Sequence, residues 1–157
     1  ELFLAMLDER FAKRIEDIES VIASEGSTAE KTRRYGELYA QTLRADREWE
    51  RLFFEFSAYA VRDEDFREEL VTRYRAMRER TAAALRAEAE EYGKAPTLPF
   101  EQVALMTSAM SHGFALEKLL EGDAVPDELF GTMLMVFFAG LDALNEAASE
   151  PAAGVSA

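Results

Sequence analysis

The chain has 157 residues, of which 48% are hydrophobic, and this length suits one domain with a buried core. Its 31 acidic residues outnumber its 18 lysines and arginines, which opposes direct binding to nucleic-acid phosphates. The absence of cysteine excludes disulfides, thiol nucleophiles and cysteine-ligated metals.

The sequence contains no segment typical of export or membrane insertion. Its longest apolar run extends only from Met133 to Leu141, well short of the ~20 residues that cross a bilayer. The opening residues 1–4 (ELFL) lack the basic start of a signal peptide. We therefore expect a cytoplasmic protein with no membrane contact.

Apolar residues recur at helical spacing almost throughout, which predicts an all-α fold of six helices without a sheet. The first helix runs from about Leu2 to Ser24 and stops at Gly26. Ser27 and Glu30 have the spacing of a capping box, so a second helix is predicted to begin there.

The middle of the chain predicts two further helices. The third, about Arg47 to Val61, holds the densest aromatic cluster of the sequence. Asp63 is a predicted N-cap of a long fourth helix, which Gly93 and Pro96 end.

The fifth helix, about Pro99 to Glu121, and the sixth, about Pro126 to Ala148, each open near a proline. Apolar side chains of the sixth cover an arc of roughly 200°, whereas a helix packed only on its own domain shows a stripe of about 100°. This width favours a homodimer, although the central helix of a monomeric bundle would have the same pattern. The predicted interface consists of Gly113, Phe114, Leu129, Met133, Phe137, Gly140 and Leu141. We place one domain at residues 1–148 and a flexible tail at 149–157.

Residue types typical of catalysis or metal binding are sparse. His112 is the only histidine, so neither a common metal set nor a nucleophile with a histidine base can be completed around it. It is interpreted as a packing residue or as a polar contact to a ligand. No phosphate-binding or dinucleotide motif occurs. We therefore predict no enzyme, no cofactor and no metal; a small helical enzyme would need an acid–base pair that the sequence does not display.

Aromatic and methionine side chains on the predicted middle helices suggest a pocket for a small hydrophobic or aromatic effector, a cationic one included. Glu55 interrupts the aromatic run and either faces that pocket or lies exposed beside Arg51 or Arg62. Taken singly, each apolar residue is equally explained as core. The predicted ligand-binding residues are Trp49, Phe53, Glu55, Phe56, Tyr59, Met77, Met106, Met110 and His112.

Three segments resemble TetR-family transcription regulators. Residues 1–8 (ELFLAMLD) resemble the start of the helix that follows the DNA-binding head in that family. Residues 52–63 (LFFEFSAYAVRD) are similar to an effector-domain helix of the subgroup that includes the choline-pathway repressor. Residues 112–116 (HGFAL), 119–120 (LL) and 125–130 (VPDELF) lead into what resembles the dimerisation pair of helices.

The resemblance implies a homodimer closed by a four-helix bundle, with a ligand pocket walled by the middle helices. It also implies a bacterial repressor that binds DNA only through a helix-turn-helix segment absent from this chain. A helical interaction module with a filled core and no small-molecule ligand is the alternative function.

Overall fold

The computed structural model describes residues 1–93 and 96–149, and within these ranges it contains six α-helices and no strand. This confirms the predicted all-α fold. The helices are α1 Leu2–Ile22, α2 Thr28–Ala45, α3 Arg47–Ala60, α4 Glu64–Glu91, α5 Phe100–Glu121 and α6 Leu129–Ser149, with a short 3₁₀ turn at Gly122–Ala124. Apart from Ser149, the predicted tail 149–157 lies outside the described residues.

Side-chain caps fix the starts of three helices. The Ser27 hydroxyl accepts from the Glu30 amide at 3.3 Å, and the Ser27 amide donates to the Glu30 carboxylate at 2.7 Å, which confirms the capping box. The Asp63 carboxylate accepts from the amide of Phe66 at 2.9 Å, as predicted for α4. Asp46 caps α3 in the same way, through the Trp49 amide at 3.0 Å, although the sequence had not singled it out.

The sixth helix begins at Leu129, three residues after the predicted Pro126. The Leu129 amide donates to the Pro126 carbonyl at 3.2 Å, which closes a tight turn before the helical pattern starts. Within that turn, the Asp127 carboxylate is held by Arg44 and by Lys118. These tertiary ion pairs explain why the proline precedes a turn rather than occupying the first helical position.

One part of the interior, here called the aromatic core, joins α1, α3 and α4. Its rings pack closely: the centroids of Phe3 and Phe56 lie 4.0 Å apart, and those of Phe3 and Trp49 lie 5.5 Å apart. Its buried members are Phe3, Leu7, Phe11, Ile15, Trp49, Phe53, Ala60, Leu70 and Met77.

A second cluster joins α2, α5 and α6 around Tyr39, Phe114 and Phe130. The crossing of α2 and α6 depends on two glycines, because a Cβ on Gly36 would lie only 2.5 Å from the backbone nitrogen of Gly131. Both glycines are buried. The close approach of the two backbones therefore places Phe130 and Leu134 against α2.

Only one face of α6 is covered by the rest of the described chain. Phe130, Gly131 and Leu134 are buried, whereas Val136 is 64% exposed and Leu144 is 53% exposed. By length and composition alone α6, Leu129–Ser149, could cross a membrane. Helices that bury their apolar surface against protein have the same composition, so this property alone assigns no membrane contact.

Candidate ligand-binding cavity

A cavity of about 390 Å³ lies between α1, α2, α4, α5 and α6. Its size falls in the range of pockets that hold small molecules. The side chains that form it recur at helical spacing on each element, so one face of every helix is turned towards the same space. On α1 these are Arg14, Ile18, Val21 and Ile22, and on α5 they are Phe100, Val103, Ala104, Thr107, Ser108 and Ser111.

Several of the side chains in the cavity wall are short. Ala104 on α5 and Thr81 on α4 are two of them, and both are buried. Ser108 adds a third short side chain. Ile18, Leu134 and Phe138 supply apolar surface around them. Short side chains at these positions leave space between the helices, and a ligand could occupy that space.

The cavity is elongated along α4. Arg78 and Glu88 both line it, and at 1.5 Å per residue their backbones lie about 15 Å apart. We call the region around Arg14, Tyr35 and Arg78 the inner end and the region around Lys31, Glu88 and Asn145 the outer end.

Arg14 is the central polar group of the inner end. Its guanidinium lies 4.4 Å from the ring centroid of Tyr39, and its Nε donates to the Tyr35 hydroxyl at 3.4 Å. Its Nη2 is shielded from solvent and has no hydrogen-bond partner in the described chain. Arg78 lies 5.9 Å from the ring centroid of Tyr74. Within residues 1–93 and 96–149, neither arginine has a carboxylate within 4.0 Å.

The electrostatics of the inner end follow from burial beside these cations. Burial, together with Arg14 and Arg78, lowers the pKa of His112 to about 4, so the imidazole is neutral at neutral pH. Burial raises the pKa of the Tyr39 hydroxyl, which donates to the Ser111 carbonyl at 3.1 Å. The inner end thus presents fixed positive charge among neutral hydrogen-bonding groups.

The outer end contains an internal ion pair. Lys31 Nζ lies 2.6 Å from the Glu88 carboxylate and donates to the Ile22 carbonyl at 2.7 Å. The Asn145 side-chain oxygen accepts from the Thr97 amide at 2.6 Å. These contacts tie α2, α4, α6 and the α4–α5 connection together where the cavity ends.

The nine residues predicted to bind a ligand occupy several places. Met77 alone among them lines the large cavity, and His112 lies beside its inner end, 3.4 Å from the Tyr74 hydroxyl. Four others are buried or partly buried in the protein interior, namely Trp49, Phe53, Phe56 and Met110. The remaining three, Glu55, Tyr59 and Met106, are exposed. A ligand role stays a prediction for all nine residues, and Met77 is the one whose position in the cavity wall agrees with it.

None of the cavity residues of α1 and α5 is among the predicted ligand-binding residues. Arg14 gave one usable signal, since it falls on the apolar side of α1 one residue before Ile15. The run of small residues at Ala104, Ser108 and Ser111 was a second signal, because small side chains facing inward leave space.

The residues of the predicted interface lie on α5 and α6, and they differ in exposure. Gly113, Leu129 and Gly140 are exposed, and a Cβ on either glycine would meet no described atom within 4 Å. Phe114 is buried in the second cluster. Met133, Phe137 and Leu141 are half-buried, and Leu141 also lines the cavity. No group of residues in the described part of the chain is arranged to hold a metal ion.

Residues 28–148 match the family model described as BetI-type transcriptional repressor, C-terminal. The match covers α2 through nearly all of α6, and hence four of the five helices that line the cavity. No curated protein and no solved structure matches the chain significantly.

Proposed function

Because the chain belongs to the family of BetI-type transcriptional repressor C-terminal domains, we propose that it is the effector-sensing and dimerisation domain of a cytoplasmic repressor. DNA contact would be made by a separate helix-turn-helix segment, since the strong acidic excess of this chain disfavours phosphate binding. The observation that carries the effector role is the cavity of about 390 Å³ with its apolar walls. The family is one of regulators rather than enzymes.

The position of α1 suggests how occupancy of the cavity would be transmitted. Its second half supplies Arg14, Ile18 and Ile22 to the cavity, while its first half packs through Phe3 and Leu7 in the aromatic core. A ligand that displaces the second half would therefore tilt the helix as a rigid unit. A ligand that binds one position of α1 more tightly than another would shift the equilibrium between those two positions.

Filling the cavity tests the effector role. Ala104→Leu puts a larger apolar side chain at a buried position of the cavity wall, and Ala58→Leu makes the same change on the exposed surface of α3. Both variants are screened against an apolar compound library by thermal shift. We expect compounds that raise the melting temperature of the wild type and of Ala58→Leu to lose most of that effect on Ala104→Leu. Equal protection of all three proteins would contradict binding in this cavity.

A homodimer is supported by the uncovered sides of α5 and α6. On α6, Leu129, Val136 and Leu144 are exposed at steps that place them on one stripe with Gly140. On α5, Leu105, Leu116 and Leu120 are exposed on a stripe that includes Gly113. Two such helices pairing with their copies would form a four-helix bundle, with the glycines permitting close approach.

Analytical ultracentrifugation of a matched pair tests the dimer. Val136→Glu places a charge on the α6 stripe, and Val61→Glu makes the same change at a valine that is 79% exposed after α3. We expect Val136→Glu to weaken association about a hundredfold or more, because an unpaired charge would be buried. Wild type and Val61→Glu should sediment as dimers at micromolar concentration. A wild type that sediments at 17.7 kDa would contradict the proposal.

A further inference from the structure

We propose that the cavity selects a ligand with a carboxylate group, held by the Arg14 guanidinium and the Tyr35 hydroxyl at the inner end. The apolar body of the ligand would extend along α4 towards the outer end. This inference rests on the proposed effector role and adds the chemical class of the effector.

The first argument is the unsatisfied donor. Arg14 Nη2 is shielded from solvent and lacks a hydrogen-bond partner among the described residues. Leaving a buried charged donor unpaired is costly, so a native protein normally supplies an acceptor. Arg14 also lines the cavity, so a molecule bound there could supply an acceptor to its guanidinium.

Other polar groups on the wall do not share this property. The Thr81 hydroxyl donates to the Met77 carbonyl at 3.1 Å, and the Ser111 hydroxyl donates to the Ser108 carbonyl at 2.7 Å. Lys31 is paired with Glu88 at the outer end. Arg14 therefore combines full charge with an unused donor, and its planar fork matches the two oxygens of a carboxylate.

The second argument is the sign of the charge at the inner end. Arg14 and Arg78 both line the cavity, and His112 beside them is neutral at neutral pH. Burial raises the pKa of the Glu50 carboxyl, and the charge of Arg14 opposes that rise. Glu50 does not line the cavity, however, and lies more than 4.0 Å from the guanidinium. An anionic group is thus attracted to the inner end. A cationic effector, which the sequence analysis included, would meet two guanidinium groups.

The third argument is the shape of the remaining space. Beyond Arg14, the wall is formed by Ile18, Leu134 and Phe138, with Leu85 and Leu141 further out. These side chains offer apolar surface along a length of about 15 Å measured on α4. A carboxylate on an alkyl or aryl body fits a cationic inner end followed by the apolar stretch that precedes the Lys31–Glu88 pair of the outer end.

A matched set of small ligands tests the charge preference. Octanoate, octanamide and octylammonium share one alkyl chain and differ at the head group. Isothermal titration calorimetry on the wild-type chain should show octanoate binding about ten- to hundredfold more tightly than the other two, as expected for a charge-assisted hydrogen bond in a buried site. Equal affinities would overturn the proposal and would mean that water or the protein satisfies Arg14.

Variants of Arg14 connect the preference to this residue. Arg14→Met retains an apolar stem of similar length and should reduce octanoate affinity to that of octanamide. Arg14→Lys keeps the charge and should retain part of the preference. Arg75→Met removes the same charge from the exposed surface of α4 and should leave the preference unchanged. Circular dichroism verifies that each variant is folded.

The outcomes separate this inference from the proposed function. If all three ligands bind alike and Ala104→Leu abolishes binding, the cavity is an effector site but the carboxylate preference is wrong. A preference for octanoate that survives Arg14→Met would also overturn the assignment to Arg14. If none of the three binds and library compounds protect Ala104→Leu as well as the wild type, both proposals fail.

Discussion

The aromatic core and the cavity lie against the same two helices, α1 and α4, and share Met77. In the aromatic core, large rings fill the space between helices, as the 4.0 Å separation of Phe3 and Phe56 shows. Around the cavity, residues such as Thr81 and Ala104 leave it open. In this chain the aromatic cluster of α3 therefore belongs to interior that is already filled, whereas the open space lies where short side chains and a cation share a wall with other apolar residues.

Truncating one leucine in each region should lower the free energy of unfolding more in the aromatic core than at the cavity. Leu7 is fully buried in the aromatic core, so Leu7→Ala should lower the free energy of unfolding by about 3–4 kcal/mol. Leu85 borders the cavity and already faces open space, so Leu85→Ala should cost about 1 kcal/mol. Urea denaturation at one fixed protein concentration measures both values. Similar losses would show that the cavity is as tightly packed as the aromatic core.

The α2–α6 crossing sets the width of the cavity on one side, and its glycines should respond unequally. Gly36→Ala should lower the free energy of unfolding by about 2–3 kcal/mol, because the new methyl group meets backbone atoms that cannot move aside. At Gly131 the closest atom to a new Cβ is 3.2 Å away, so Gly131→Ala should cost about 1 kcal/mol or less. Thermal and urea unfolding of the two variants check the order, and the reverse order would contradict the close crossing.

His112 lies where the two regions meet and should make stability depend on pH. Its pKa is about 4 in the folded chain, against ~6.5 when unfolded, so the unfolded state binds more protons between these values. The free energy of unfolding should therefore fall by about 3 kcal/mol from this group as the pH drops from 7.5 to 4, and level off above pH ~7.5.

Substitution of the histidine isolates this contribution. Carboxyl groups with a lowered pKa, such as those of Asp46 and Asp63, also reduce the free energy of unfolding on acidification. Their contribution is the same in both proteins. The difference between wild type and His112→Gln, measured by urea unfolding from pH 4.5 to 7, should change by about 2 kcal/mol. A constant difference would mean that His112 is solvated and titrates normally.

Much of the fold could be predicted because its signals are local. The capping box at Ser27 and Glu30 and the N-cap at Asp63 involve residues three positions apart, so the sequence displays them directly. The start of α6 was placed three residues too early, because the turn before it holds Asp127 paired with Arg44, which is distant in sequence. A tertiary contact of that kind leaves no local pattern.

The cavity was harder to predict because space is a property of several helices together. Trp49 and Phe53 attracted attention as large apolar residues, yet size alone does not distinguish a filled core from a pocket wall. The depth of the cavity depends on Ala104, Thr81 and Ile18, which come from three helices and are unremarkable singly. Arg14 could have been noticed as a cation on an apolar face. That its Nη2 lacks a hydrogen-bond partner among the described residues is visible only in the three-dimensional structure.

A crystal structure of the chain with its tightest-binding library compound tests the central claim most directly. The account predicts ligand density between α1, α2, α4, α5 and α6, in contact with Arg14 and Ala104. Density among Trp49, Phe56 and Tyr59, with the space around Ala104 left unfilled, would contradict it and would support the pocket predicted from the aromatic residues instead.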